Sequence, residues 1–354
     1  MADSKAIILN RMLADIDSNY DKSQGSFFYD VLSATAIEFE KKYKENENEI
    51  RKKHVDTAIG KELEELVKEY ANMERKHSTQ SSNVVIITGS NGYQITEGEM
   101  VASDGLNFIF TESTTIADGT AVVAVKCEKY GSIGNVPVGA IKYFPKTLLG
   151  LKIVNNTLAF TNGYNEETNE ELRTRYYTKV KTPVTSSNKN AYKNWALSIN
   201  GVGSAKVKSL WDGPGTVKVI IINSNKMAAD STLVQSVKNL IDPGNGDGEG
   251  ESNIGPVCTV ISAVELSINI TVTLTIDTDT TSTESAKLGI ESGFTDYLAD
   301  IAFSQDYVSY AKIGSIILGT IGIKDYSNLK VNGGTSNITV GDEQVAVLGG
   351  VTLG

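Results

Sequence analysis

Histidine, cysteine and proline are scarce in this 354-residue chain, which holds two, two and six of them. His54 and His77 stand beside neither a cysteine nor a paired carboxylate at ligand spacing. Zinc chemistry and Ser-His-Asp catalysis therefore lack their parts. Cys127 and Cys258 have no CxxC partner, and each sits in an apolar strand-like run, so buried free thiols are expected. A basic excess is missing too. The 33 Lys and Arg face 43 Asp and Glu, and a net charge of −10 argues against a nucleic-acid surface. No apolar run approaches the ~20 residues that span a bilayer, and the charged N-terminus has no cleavage-site pattern. The glycines fall in neither a P-loop nor a dinucleotide fingerprint, and Gly131-Ser132-Ile133-Gly134 has Tyr130 where a nucleophile elbow needs glycine. No catalytic residue, cofactor or metal is expected, and the chain reads as a non-enzyme without membrane insertion.

What is present is patterned apolar sequence. Tyr192, Trp195, Ala196 and Ile199 recur at helical spacing, and Gly201 and Gly203 are expected to end that helix. Two strand-like runs, Ser204 to Trp211 and Thr216 to Asn223, flank Asp212-Gly213-Pro214-Gly215, a hairpin turn by its composition. Residues 231–241 read as a helix, and the following DPGNGDGEGESNIGP reads as exposed loop. Its Asp242, Asn245, Asp247 and Glu249 depart from EF-hand spacing, so a solvated loop is expected over a cation site. A second strand pair (257–264 and 266–276) and a helix near 285–302 repeat the hairpin-helix order, which predicts a duplicated α+β unit. Asn332-Gly333-Gly334 marks a tight turn near the C-terminus.

Upstream, residues 1–78 read as helices. Ser26 is placed to cap a long one, on which Phe28, Leu32, Thr35, Phe39, Tyr43 and Ile50 trace a narrow apolar seam between charged flanks. A bundle with partner helices and a hairpin within the chain both fit that seam. After the polar link HSTQSSN, short β-runs punctuated by glycine predict a small sandwich or barrel-like module. Asn165 to Thr168 opens a helix that stops near Thr182-Pro183. The fold class expected is α+β and multi-domain: residues 1–78 helical, 84–155 β-rich, 165–255 a first α+β module and 256–354 a second.

Five ordered blocks carry a resemblance. They are YDKSQGSFFYDVLSATAIE, GSIGNVPVGAI, NEETNEELRTRYYTKVKTPVTSSN, NWALSINGVGSAKVKSLWDGPGTVKVIIINSNK and VNGGTSNITVGDEQVAVLGGVTL. Together they resemble the Baseplate-J family, baseplate wedge proteins of contractile phage tails and phage-tail-like bacteriocins. The resemblance implies a structural wedge subunit whose N-terminal helices join a bundle with a second copy of itself and a tail protein I-type wedge protein. It further implies contact with sheath-initiator and hub-side baseplate proteins and with neighbouring wedges in a six-fold ring, partly through residues 256–354. It also implies a relay of the movement that triggers sheath contraction, with hinges expected at 78–83 and at Thr182-Pro183-Val184. The expected location is the baseplate of a tail particle, assembled in the bacterial cytoplasm and released on lysis. A tail fibre, adhesin or carbohydrate-binding tail protein is the alternative, though fibre-type repeats are lacking.

Overall fold

The computed structural model describes residues 3–146, 148–182, 185 and 187–354, and the chain divides into two compact units. Unit 1 joins the residues up to Arg75 with Glu167–Lys181; unit 2 holds Lys76–Glu166 and Thr182–Gly354.

In unit 1, helix α1 (Lys5–Ala14) packs on α2 (Phe27–Lys52), and α3 (Gly60–Ala71) packs on α4 (Asn169–Lys181). Ser26 caps α2 as its sequence predicts, its hydroxyl accepting from the Tyr29 N–H at 3.3 Å. A capping box opens α4: Thr168 Oγ1 accepts from the Glu171 N–H, and the Glu171 carboxylate accepts from the Thr168 N–H. The sequence grouped this helix with the strands that follow it. Its apolar face decides otherwise, because Leu172 and Tyr176 are buried with Leu63, Val67 and Met73.

Unit 2 begins with β1 (Gln80–Gly89), β2 (Gln94–Ile95), β3 (Met100–Ser103), β4 (Leu106–Phe110), β5 (Thr114–Thr115), β6 (Thr120–Tyr130) and β7 (Leu151–Asn155). Five of these form an antiparallel sheet of order β3-β4-β6-β1-β7, while β2 pairs with β5. Strand β6 shows why it folds. Ala121, Val123, Val125 and Cys127 alternate into the core, and the residues between them face outward. The stretch expected to be a hinge is tied down, since 80–83 already belong to β1. Thr79 and Ser82 are also hydrogen-bonded to the segment at 162–164. Pro183 and Val184 of the other expected hinge lie outside the described residues.

Next come α5 (Lys189–Ser198), β8 (Val202–Ser209), β9 (Thr216–Asn223), α6 (Ser231–Ile241) and β10 (Val257–Ser262). They are followed by β11 (Val264–Ile276), α7 (Thr283–Ile301), β12 (Tyr307–Val308), α8 (Tyr310–Gly319), β13 (Ile323–Val331), β14 (Ile338–Thr339) and β15 (Gln344–Leu353). The architecture is α+β throughout, but the expected duplication is absent. Strand β10 pairs in parallel with β9, with α6 as the crossover, and β11 pairs with β13 and β15. The physical reason is length: Ala263 alone separates β10 from β11, too little chain to turn a hairpin. One extended run therefore passes from one sheet into the next.

Central strand β9 is buried on both faces. Val219 and Ile221 pack under α5 and α6, while Ile220 and Ile222 pack against Ala263 and Val345 from the C-terminal part. The C-terminal sheet, in order β13-β11-β15, is covered by α7 and α8 over a core that includes Ile270, Phe294 and Ile317.

Candidate assembly surface

The predicted seam on α2 does not act as one stripe. Leu32 and Tyr43 turn inward with Tyr29 and Ala36, packing on Ile8, Leu9, Met12 and Leu13 of α1. Phe28 meets Tyr20 edge-on at 5.0 Å, and Thr35 donates its hydroxyl to the Val31 carbonyl at 3.0 Å. Phe39 lies tilted on Tyr43 yet stays 42% exposed, and Ile50 is 60% exposed. Two residues beyond the predicted seam join them on the open flank, Phe27 at 76% and Val31 at 49%. With 3.6 residues per turn, α1 covers one sector of the apolar face and Phe27, Val31 and Phe39 line the adjacent one. The charged positions around it pair along the helix, as in Lys44–Glu40 at 2.9 Å and Lys52–Glu49 at 2.9 Å. Exposed pairs of this kind keep the helix soluble and add little stability.

An arginine node that sequence reasoning missed locks the rest of unit 1. Arg173 donates through Nε to the Val55 carbonyl at 2.7 Å and through its terminal nitrogens to the Ala58 carbonyl and Glu170. Arg75 reaches Glu64, the Glu167 carbonyl and Asn169, and Arg175 grips both Glu167 oxygens at 2.6 Å. The bonds from Arg173 to Val55 and Ala58, and from Arg75 to Glu167 and Asn169, join segments 92 to 118 residues apart, and local spacing carries no sign of those pairs.

The chemistry-bearing residues are dispersed. His77 lies 3.6 Å from Glu166 with both side chains exposed, His54 is exposed, and no metal-ligating cluster occurs among the described residues. Both cysteines are buried and free, and burial pushes the Cys258 thiol up to about 12. Asp242, expected in a solvated loop, is 2% exposed. Burial alone would raise its carboxyl, but hydrogen bonds from the Cys258 and Gly246 N–H groups and from Lys238 hold it below the ordinary value. Its oxygens are thus occupied by the protein's own donors.

Near the hairpin, Trp195 stacks edge-on with Tyr192 at 5.1 Å. Trp211 is 39% exposed, with the Lys218 ammonium 3.9 Å from its ring centre. The turn between β8 and β9 uses Gly213 and Gly215 at positive φ around Pro214. Helix α5 ends at Ser198 with Ile199 as its extended C-cap, before the two glycines expected to cap it. Gly201 takes a positive φ of 92°, whereas Gly203 admits the Asn223 carbonyl, which would lie 2.2 Å from a Cβ placed there. Asn332 and Gly333, both at positive φ, make the tight turn with Gly334, and the Asn332 amide is fastened to Asn269 and Ser267 of β11.

Three family models match in chain order. They are the Baseplate J-like protein barrel domain at 84–163, the Baseplate J-like central domain at 184–262 and the Baseplate J-like protein C-terminal domain at 268–354. The phage-like element PBSX protein XkdT of Bacillus subtilis (strain 168) is 33% identical over 347 residues, 98% of this chain and 96% of that protein. The chain belongs to the Baseplate J-like family. It is a structural protein of the phage-tail baseplate. The Mu-like prophage FluMu protein gp47 of Haemophilus influenzae (strain ATCC 51907 / DSM 11121 / KW20 / Rd) is 30% identical over 152 residues, 42% of this chain and 43% of that one. A solved baseplate of the anti-feeding prophage has a chain aligned over 97% of both chains, at 8% identity and a TM-score of 0.37. The Baseplate J-like segments begin at residue 84, so the α1–α2 pair with its open flank lies outside them. No described helix is long and apolar enough to cross a membrane.

Proposed function

We propose that this Baseplate J-like protein is a wedge subunit that builds the baseplate and transmits its rearrangement when the sheath contracts. The open flank of α2 carries the reading. Phe27, Val31 and Phe39 are large apolar residues on an ordered helix, and water is an unfavourable neighbour for such a row. A partner helix covers the flank, completing a bundle of two copies of this chain and one tail protein I-type subunit. The remaining partners are hub-side proteins and neighbouring wedges of a six-fold ring, met through unit 2 in a particle assembled in the cytoplasm and released on lysis. The chain passes between its two units at three points, 75/76, 166/167 and 181/182, and the rearrangement turns one unit against the other there.

Co-expression with the proteins encoded beside it, followed by mass measurement of the purified complex, tests the bundle. A two-to-one complex is expected, and Phe27→Asp with Phe39→Asp should release it while leaving the subunit folded. Leu32 is unsuited to this purpose, because its side chain already packs on α1. A chain that ignores every neighbour, or a complex indifferent to both aspartates, would sink the proposal.

A further inference from the structure

Strand β8 has β9 on one side and, among the described residues, no strand on the other. Along it runs a groove of about 730 Å³ lined by five lysines, Lys189 and Lys193 from α5, Lys206 and Lys208 from β8, and Lys218 from β9, with Trp211 beside them. Asp342 and Glu343 also line it and engage Lys208 and Lys218 at 3.1 to 3.4 Å. Lys206 sits 4.7 Å from the Phe303 ring centre. Lys189 and Lys193 form no ion pair with a described residue. Five lysines against two carboxylates is a local reversal of sign in a chain whose net charge is −10.

Lysines on an open edge strand commonly guard against strand-on-strand aggregation, and Lys206 and Lys208 meet that description. Lys189 and Lys193 do not. They come from a helix, one turn apart, and line the same groove. Their placement describes a surface that receives negative charge.

The same chain carries the matching charge. After α6, Asp247, Glu249 and Glu251 stand exposed at alternate positions, and none is in an ion pair with a described residue. Ile254 follows, 81% exposed. The loop is held in shape. The Gly255 N–H donates to the Gly246 carbonyl at 2.9 Å, the Glu251 N–H to the Leu240 carbonyl at 3.0 Å, and the Ser252 and Tyr192 hydroxyls meet at 2.8 Å. Fixed in this way, the carboxylates pair with none of the groove lysines of their own chain.

We propose that the lysine groove docks the acidic loop of a second copy of this chain. The three carboxylates lie along the lysines, and Ile254 seats against Trp211. An acidic protein segment suits the site better than nucleic acid, since the surface beyond the groove is net negative and repels a long polyanion. The inference stands on groove and loop alone and is independent of the α2 flank.

Sedimentation velocity of the full chain, as a concentration series, tests it. Self-association is expected in dilute buffer. It should weaken as salt rises from about 10 mM to about 1 M, which shortens the Debye length from about 30 Å to about 3 Å. Lys189→Glu with Lys193→Glu makes the groove acidic, and Glu249→Lys with Glu251→Lys makes the loop basic. Each double variant alone should lose association by about tenfold or more, because like charges then face each other. Mixing the two should restore it, since each groove again meets a loop of opposite sign. Restoration also shows that both variants are folded. A wild-type chain that stays monomeric at its highest soluble concentration overturns the inference, as do variants that associate like wild type. Loss in the groove variant with none in the loop variant, or a mixture that fails to associate, equally rules out the loop as occupant.

Discussion

Helices α2 and α7 are both long, yet they are held in opposite ways. Over 26 residues α2 buries Ala36, while over 19 residues α7 buries Ala286, Ile290, Phe294, Tyr297, Leu298 and Ile301. The core beneath α7 contains sixteen buried residues, and the cluster between α1 and α2 contains three. Helix α7 is a product of its own domain's packing. Helix α2 has a good cap, ion pairs along its length and too little buried area to need its phenylalanines for folding. The difference bears on the proposed bundle: α7 completes its own core, whereas α2 leaves Phe27, Val31 and Phe39 exposed on an ordered helix, a surface that a partner helix would cover under that proposal.

Removing one aromatic from each helix should have very different effects. Phe294→Ala should lower stability by about 4 kcal/mol, because a ring leaves a close-packed site that cannot collapse around the gap. Phe39→Ala should change it by less than about 0.5 kcal/mol, as at other exposed positions. Guanidinium unfolding of both variants checks the pair. Similar losses would mean that α2 has a core of its own and that the open flank is not a reserved surface.

A somewhat smaller effect is expected inside unit 1. Arg173→Ala should cost about 3 kcal/mol, since it leaves the Val55 and Ala58 carbonyls without their donor in a nearly buried setting. Loss of helical circular dichroism at lower denaturant than wild type reads it out. If the variant unfolds with wild type, α4 is held by Leu172 and Tyr176 alone and the arginine node is ornamental.

Much of this was legible along the chain, and the limits are instructive. Ser26 announces α2 because a cap acts three residues away, and β6 announces itself because strand burial has period two. The seam of α2 could be seen but not apportioned: periodicity says which face is apolar, not that α1 takes Leu32 and Tyr43 and leaves Phe39 and Ile50. The parallel pairing of β10 with β9 was hidden for a related reason. Two adjacent strand-like runs look like a hairpin until the single residue between them, Ala263, is weighed against the chain a turn needs. The bonds of Arg173 to Val55 and Ala58, and of Arg75 to Glu167 and Asn169, gave no local signal, because those partners are distant in sequence.

The finest contrast lies between two kinds of carboxylate. Glu40 and Glu49 on α2 are held below their ordinary value by hydrogen bonds from Lys44 and Lys52 in open solvent, where salt screens such pairs. Asp242 opposes its own burial with two backbone N–H donors and Lys238, and it too is lowered. A lowered folded value means that the unfolded chain takes up the proton first. The stabilisation is therefore present above the ordinary 3.8 and is lost as pH falls below it through the folded value. Asp242→Asn removes the charge while keeping one acceptor oxygen. At neutral pH it should cost about 1.5 kcal/mol, the weight of charge-assisted over neutral hydrogen bonds. The gap between variant and wild type should persist in high salt, begin to close as pH drops below 3.8, and vanish only below the lowered folded value, where the wild-type carboxylate is protonated as well. Denaturant midpoints across that range check it. A gap that stays constant in acid would assign the loss to altered packing at the end of α6 rather than to charge.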